Sequence, residues 1–201
     1  CPCSVCGWTG PTQRLPRRRG QERDKRVFCR MCRHAELYLV EAYHIDFDST
    51  LGAGSFGVVH QAVQVATGIS CAVKCIRPDG NDLSIVQREV DIQAHLLHPH
   101  VCQYLDHFAS RVQMFIACEL CTGGHLHDFL YNGGEFGVAE YMQQILDAVA
   151  YVNGCGIVHR DIKPANVLLQ AKTGQGGWNL KLADFGLAAF CPPGCSLPGA
   201  G

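Results

Sequence analysis

The period of apolar and polar positions changes several times along the chain, and each change marks an element. Residues 43–63, "YHIDFDSTLGAGSFGVVHQAV", read as strand, glycine turn, strand. "ISCAVKCI" is a short apolar run with β-branched residues and predicts a third strand. "PDGND" follows as a turn. A helix comes next, with Ser84 as its cap and Gln87 completing a capping box. Val86, Val90 and Leu97 lie on one side of it at helical spacing, and it is expected to end at His98-Pro99, where proline disfavours helix in the residue before it.

"VCQYLDHFAS" and "RVQMFIACEL" then predict a strand pair. "AEYMQQILDAVAYVNGCG" is the clearest helix, with Met142, Ile145, Leu146 and Val149 as its apolar stripe and Gly154 or Gly156 as its stop. Two short strand-like pieces, "NVLLQ" and "NLKLADF", flank the Gly-rich insert "AKTGQGGW". The eleven residues from Cys191 onward show no periodicity.

Composition narrows the class. The chain has 201 residues, 47% hydrophobic and 17% charged, enough apolar material for one packed domain plus a small module. No apolar run approaches the roughly 18 residues needed to span a bilayer, and no signal peptide is visible. Thirteen cysteines, an odd number, fit reduced thiols better than an oxidised framework. A cytoplasmic location is expected, with the nucleus open. The chain starts at Cys1 rather than Met, so further residues upstream are expected. Its net charge of −1 hides an asymmetry: residues 1–40 carry nine Lys/Arg and three Asp/Glu. That basic stretch reads either as a solvated loop or as a contact for nucleic acid or anionic lipid.

The chemistry-bearing residues come in order. Gly52, Gly54 and Gly57 make a GxGxxG string, which is weak evidence alone among 22 glycines. It leads into the strand-like "VVHQAV" rather than a helix, so it is either an ordinary hairpin turn or a backbone cradle for phosphates. Lys74 lies on the next strand and Glu89 on the facing helix, where they can pair and aim the ammonium at a phosphate. In "HRDIKPAN", Asp161 can accept a proton from a hydroxyl and Lys163 can steady a transferring phosphate. Asn166 and Asp184 offer oxygen ligands suited to Mg²⁺. Phosphoryl transfer asks a protein for little beyond such positioning and charge neutralisation.

With these residues in hand, residues 44–190 resemble the first half of a eukaryotic protein kinase catalytic domain. The motifs "GAGSFGVV", "CAVK", "REV", "CEL", "HRDIKPAN" and "DFG" follow the family's order. The resemblance implies an α+β, two-lobed fold. Residues 44–121 would be the N-lobe, an antiparallel sheet plus one helix, and residues 122–190 an incomplete, mainly helical C-lobe. Residues 191–201 would form an unstructured tail.

The resemblance also implies roles. Gly52, Gly54 and Gly57 would cover the phosphates of ATP, and Leu51, Val59 and Ala72 would sandwich the adenine. The backbone of Glu119 and Cys121 would hydrogen-bond it at the hinge, with Cys118 as gatekeeper. Lys74 would hold the α/β-phosphates and pair with Glu89. Asp161 would be the base, and Asn166 and Asp184 the Mg²⁺ ligands. Lys163 resembles the lysine typical of serine/threonine kinases, so the expected substrate is a protein Ser/Thr hydroxyl. "CELCTGGHLHDFL" is similar to the calcium/calmodulin-dependent group. His125 and Ala165 replace glutamates often found in basophilic relatives, so no strong preference for basic peptides is expected. A kinase-like protein that binds nucleotide or partners without turnover is the alternative.

The family pattern continues after DFG, whereas "CPPGCSLPGAG" matches no part of it. The helix from Ala139 to Val152 is therefore expected to show an apolar face to water, and this chain alone is expected to be weakly active or inactive.

Residues 1–36 carry Cys3-x-x-Cys6 and Cys29-x-x-Cys32, separated by 22 residues. They resemble zinc knuckles, whose four thiolates would close a tetrahedral site, and His34 is a spare ligand. The same CxxC spacing recurs at Cys118 and Cys121 in the hinge, so an unstructured Cys-rich segment is the other reading.

Overall fold

The computed structural model of the chain describes residues 42–54, 57–76, 83–109, 113–134, 137–172, 174 and 177–191. Cys3, Cys6, Cys29, Cys32, His34 and the basic stretch lie outside these residues, as do the "PDGND" turn and the tail beyond Cys191.

Strands β1 (Tyr43–Gly54), β2 (Gly57–Gln64), β3 (Ser70–Ile76), β4 (Tyr104–Ala109) and β5 (Met114–Glu119) form one antiparallel sheet in the order β1-β2-β3-β5-β4. Strand alternation splits its side chains between two cores. Cys71 and Val73 of β3 face one side with Ala62, Phe115, Ala117 and Phe108, and Tyr43 meets Phe108 edge-on at 5.5 Å. The next residues along, Ala72, Lys74 and Ile76, face the other side. There Ile76, Met114 and Ile116 receive Val86 and Val90 from helix α1 (Leu83–Gln93). Burying those two valines contributes roughly 1.5–3 kcal/mol each.

Helix α1 is shorter than its sequence pattern predicts. It ends at Gln93, because His95 and Leu96 bond three residues back, to Ile92 and Gln93, which tightens the chain into a turn. Leu96 then takes the buried place, and Leu97 is 76% exposed instead of lining the helix. The expected capping box involves the Ser84 side chain, which lies outside the described residues. The helix already includes Leu83, and Gln87 Nε2 donates forward to Asp91 Oδ1 at 2.9 Å.

The remaining chain builds helices α2 (Leu126–Tyr131) and α3 (Val138–Gly154), the two-residue pair β6 (Ile157–Val158) and β9 (Ala189–Phe190), and the hairpin β7 (Val167–Ala171) with β8 (Trp178–Leu182). Their core joins Val152, Ile157, Leu169, Leu180, Leu182 and Phe185 to Ile92, Leu96 and Val101, so the two lobes share packing next to the cleft.

Helix α3 forms as expected, and half of its expected stripe, Ile145 and Val149, packs partly buried against the core, but the fully buried line lies to one side of it. Tyr141, Gln144, Ala148 and Val152 face inward, while Met142 is 47% and Leu146 56% exposed. Two polar side chains decide this. Gln144 Oε1 accepts the Leu180 N–H at 2.8 Å, and the Tyr141 hydroxyl lies 3.4 Å from the Trp178 N–H, both on the edge of β8. The expected apolar face is present, made of Met142, Leu146 and the 70%-exposed Val138.

Candidate active site

The glycine turn joins β1 to β2, with Gly52 opposite Val59 and Gly54 opposite Gly57. Gly57 has φ +143°, and a Cβ there would sit 2.2 Å from the Cys75 carbonyl oxygen, so only glycine fits. Register puts Val59 across from Lys74, Lys74 across from Ile116 and Ala72 across from Cys118. Val59, Ala72, Lys74 and Cys118 thus share the cleft face, and Leu51 lies at its exposed rim.

Lys74 Nζ lies 2.7 Å from Glu89 Oε1 and 3.5 Å from Asp184 Oδ1. Glu89 is buried on α1, between Val86 one turn before it and Val90 directly after it, both of which are buried. Burial pulls the Lys74 pKa down, but Glu89 first and Asp184 next outweigh it, and the ammonium ends up above its ordinary value.

The segment between β6 and β7 carries the second group. Lys163 Nζ and Asn166 Nδ2 both donate to Asp161 Oδ2 at 2.8 Å, and Asn166 Nδ2 also reaches the Asp161 carbonyl at 2.9 Å. The Lys163 hydrogen bond, and then that of Asn166, hold the Asp161 carboxyl below its usual range against the opposing effect of burial. Both donors use Oδ2, so Oδ1 is the oxygen left to an incoming group. His159 Nε2 donates to the Ala183 carbonyl at 3.0 Å, and the Ala183 N–H returns to Asn166 O at 2.9 Å. These bonds lace the Asp161 loop to the Asp184 turn. Phe185 is buried against the His159 ring, 4.8 Å away edge-on. Arg160 (φ 67°) and Asp184 (φ 59°) are held in the left-handed region, at about 1–3 kcal/mol each.

Asp184 Oδ1 is buried and makes no hydrogen bond that satisfies it, its nearest opposite charge being the Lys74 ammonium at 3.5 Å. An orphaned carboxylate oxygen beside an amide whose nitrogen is committed to Asp161 fits a hard divalent cation. Asn166 and Asp184 are the residues that would hold Mg²⁺.

At the hinge, the Glu119 N–H already donates to Gln103 O at 2.9 Å. Its carbonyl accepts a long, weak hydrogen bond from the Cys102 thiol at 4.0 Å and keeps its second lone pair for a base. The Cys121 thiol is pushed well up by its hydrogen bond with Cys102 and by burial, which disfavours its thiolate. His125 Nδ1 donates to Ala165 O at 2.7 Å, and its Nε2 would lie 3.8 Å from a Cβ on Gly52. Its ring therefore bridges the Asp161 loop and the glycine turn.

One charged residue at the site escapes sequence reading. Lys181 is 7% exposed and pairs with Glu119 Oε1 at 2.8 Å. Its signal was a lysine inside the apolar run "NLKLADF". Among the described residues no group of three or more His, Cys, Asp or Glu is placed to hold a metal, and the N-terminal cysteines lie outside them. No described helix is long and apolar enough to cross a membrane.

A five-stranded sheet with one buried-glutamate helix, next to a loop that presents Asp161, Lys163 and Asn166, is the kind of arrangement on which nucleotide-dependent phosphoryl transfer is built in other proteins. The protein kinase domain family matches residues 45–197, and the chain belongs to that family. It is 34% identical over 155 residues to CBL-interacting protein kinase 24 of Oryza sativa subsp. japonica, covering 74% of this chain and 33% of that protein. It is 34% identical over 151 residues to maternal embryonic leucine zipper kinase of Xenopus laevis, covering 73% and 22%. It is 35% identical over 145 residues to calcium/calmodulin-dependent protein kinase cmkA of Emericella nidulans, covering 71% and 34%. The matches span about a third or less of these relatives' lengths. Protein kinases as a family use ATP and Mg²⁺.

Proposed function

We propose that the chain carries the nucleotide-binding and phosphoryl-transfer residues of a protein serine/threonine kinase. The observation that carries this reading is the assembled charge set in the cleft. Lys74 is 2.7 Å from Glu89 and 3.5 Å from Asp184, whose Oδ1 has no other partner.

The roles follow from the groups. The glycine turn lies over the phosphates with no side chain in the way at Gly52, Gly54 and Gly57. Glu89 orients the Lys74 ammonium toward the α/β-phosphates. ATP, when bound, would supply the phosphoryl group, and Asn166 and Asp184 would hold Mg²⁺, which would supply charge neutralisation. Asp161 Oδ1 accepts the hydroxyl proton, while Lys163 and Asn166 hold Oδ2 and fix the carboxylate's orientation. Leu51, Val59 and Ala72 enclose the adenine, and the Glu119 carbonyl and the Cys121 backbone meet its edge. Lys163 favours Ser/Thr over Tyr hydroxyls.

The test is transfer of a γ-phosphoryl group to a generic Ser/Thr protein substrate by the full chain, beside its Asp161→Asn variant. Transfer lost in Asp161→Asn with ATP binding intact supports the reading. ATP binding without any transfer by the parent chain favours the non-catalytic nucleotide-binding alternative. We further propose that Cys3, Cys6, Cys29 and Cys32 hold one zinc ion, a reading supported by their paired spacing. Zinc quantified at one ion per chain, and lost on Cys→Ser substitution, is the expected result; a metal-free chain removes it.

A further inference from the structure

Lys181 is a buried lysine outside the residues assigned above. A buried ammonium requires a paired charge, and here that charge is the Glu119 carboxylate, 2.8 Å away. The same carboxylate accepts the Gln103 N–H at 2.7 Å and the Gln170 Nε2 hydrogen at 3.0 Å. Its three donors come from three places: the segment before β4, strand β7 and strand β8. Glu119 is also the last residue of β5, so the sheet of the upper lobe ends in a side chain gripped by the hairpin of the lower lobe.

The grip has a rigid base. Lys181 pairs with Leu168 across the hairpin. Its neighbour Leu182 donates to His100 O at 2.8 Å and accepts from Cys102 N at 2.8 Å. Strand β8 is thus bonded on both edges before it reaches Asp184, three residues beyond Lys181.

We propose that Lys181 is a positioning residue for base recognition: by clamping the Glu119 carboxylate it holds the Glu119 carbonyl at the angle that selects adenine over guanine. The chemistry is a donor–acceptor match. The Glu119 N–H is committed to Gln103 O, and its carbonyl, which takes only a long 4.0 Å bond from the Cys102 thiol, keeps a lone pair as the acceptor the residue presents. Adenine offers an amino donor at position 6, where guanine offers a carbonyl acceptor. A carbonyl held rigidly rejects guanine, and one free to tilt rejects it less. This rests on the nucleotide-binding reading above.

The experiment measures Kd for ATP and for GTP, each with Mg²⁺, on the full chain and on Lys181→Met and Lys181→Arg. General destabilisation weakens both nucleotides alike and leaves the GTP/ATP ratio of Kd unchanged. Loss of hinge positioning lowers that ratio, by about fivefold at the modest end of coupling between sites. Lys181→Arg restores it to within about twofold, because the guanidinium keeps the ion pair. A folded Lys181→Met that keeps the parent ratio overturns the proposal. If circular dichroism shows Lys181→Met unfolded, Glu119→Gln decides on the same ratio, since it removes the charge while keeping the side-chain shape. A parent chain that binds neither nucleotide overturns the functional reading and the clamp with it. A parent chain that binds ATP, beside variants of unchanged ratio, overturns the clamp alone.

Discussion

Glu89→Gln isolates the charge at the centre of the cleft without changing the shape of α1. Glu89 is 5% exposed and Lys74 Nζ lies 2.7 Å from it. Removing one member of a buried ion pair typically costs about 3–5 kcal/mol. Here three features reduce that. Glutamine keeps an acceptor within reach, Asp184 remains 3.5 Å from the ammonium, and the Lys74 side chain is 20% exposed. About half the cost is expected to remain, roughly 2 kcal/mol. For a chain of this size that lowers Tm by about 4–8 °C.

The pH dependence has a definite sign. Lys74 is raised in the folded state, so its contribution is complete below the unfolded lysine value of about 10.4 and is lost as pH climbs through the folded value. The Tm gap between parent and Glu89→Gln should therefore be constant from about pH 7 to 9 and narrow only above about pH 10. Thermal unfolding followed by circular dichroism across that range is the assay. A gap under about 1 °C, or one that closes below pH 9, refutes the reasoning.

Three further outcomes test other parts of the structure. Lys163→Met should move the acid limb of the pH–rate profile upward, toward the ordinary carboxylate range, because Lys163 is the main cause of the depressed Asp161 value; an unmoved limb denies that role. Ala148→Leu should destabilise by about 1–3 kcal/mol in urea unfolding, since Ala148 is fully buried, while Met142→Lys on the exposed face should stay within about 0.5 kcal/mol. The reverse order would mean that the helix packs by its apolar stripe after all. Gly57→Ala should cost at least about 2 kcal/mol by the same assay, because its Cβ would meet the Cys75 carbonyl in a left-handed backbone; a neutral result would show that the turn yields freely.

The five strands of the main sheet, the α3 segment and the motif residues were legible because each depends on local pattern: alternation, helical period, or a short string of fixed residue types. Two details were not. The end of α1 was misplaced because Pro99 looks like the stop, whereas the chain had already tightened at Gln93 to bury Leu96. The buried line of α3 was half misread: Ile145 and Val149 pack against the core as their period implied, but apolarity also marked Met142 and Leu146, while the buried positions went to Tyr141 and Gln144, which satisfy the backbone N–H groups of a strand more than thirty residues away. Hydrophobic period ranks residues by transfer from water and is blind to a polar side chain with a distant partner.

By itself, then, the sequence determined which residue types are available for the chemistry and in what order they come. Gly52 to Gly57, Lys74, Glu89, Asp161, Lys163, Asn166 and Asp184 were all nameable before any coordinate. Only the tertiary structure decided how they meet. It showed that Glu89 closes on Lys74, that Asp161 offers Oδ1 because Oδ2 is taken, and that the Glu119 N–H is spent on Gln103 while its carbonyl takes only a long bond from Cys102. It alone brought Lys181 to Glu119, a pair 62 positions apart in the chain. The reason is physical: a lone charge in an apolar run carries no sign of its partner, and burial of that charge is permitted only where folding has placed the opposite one beside it.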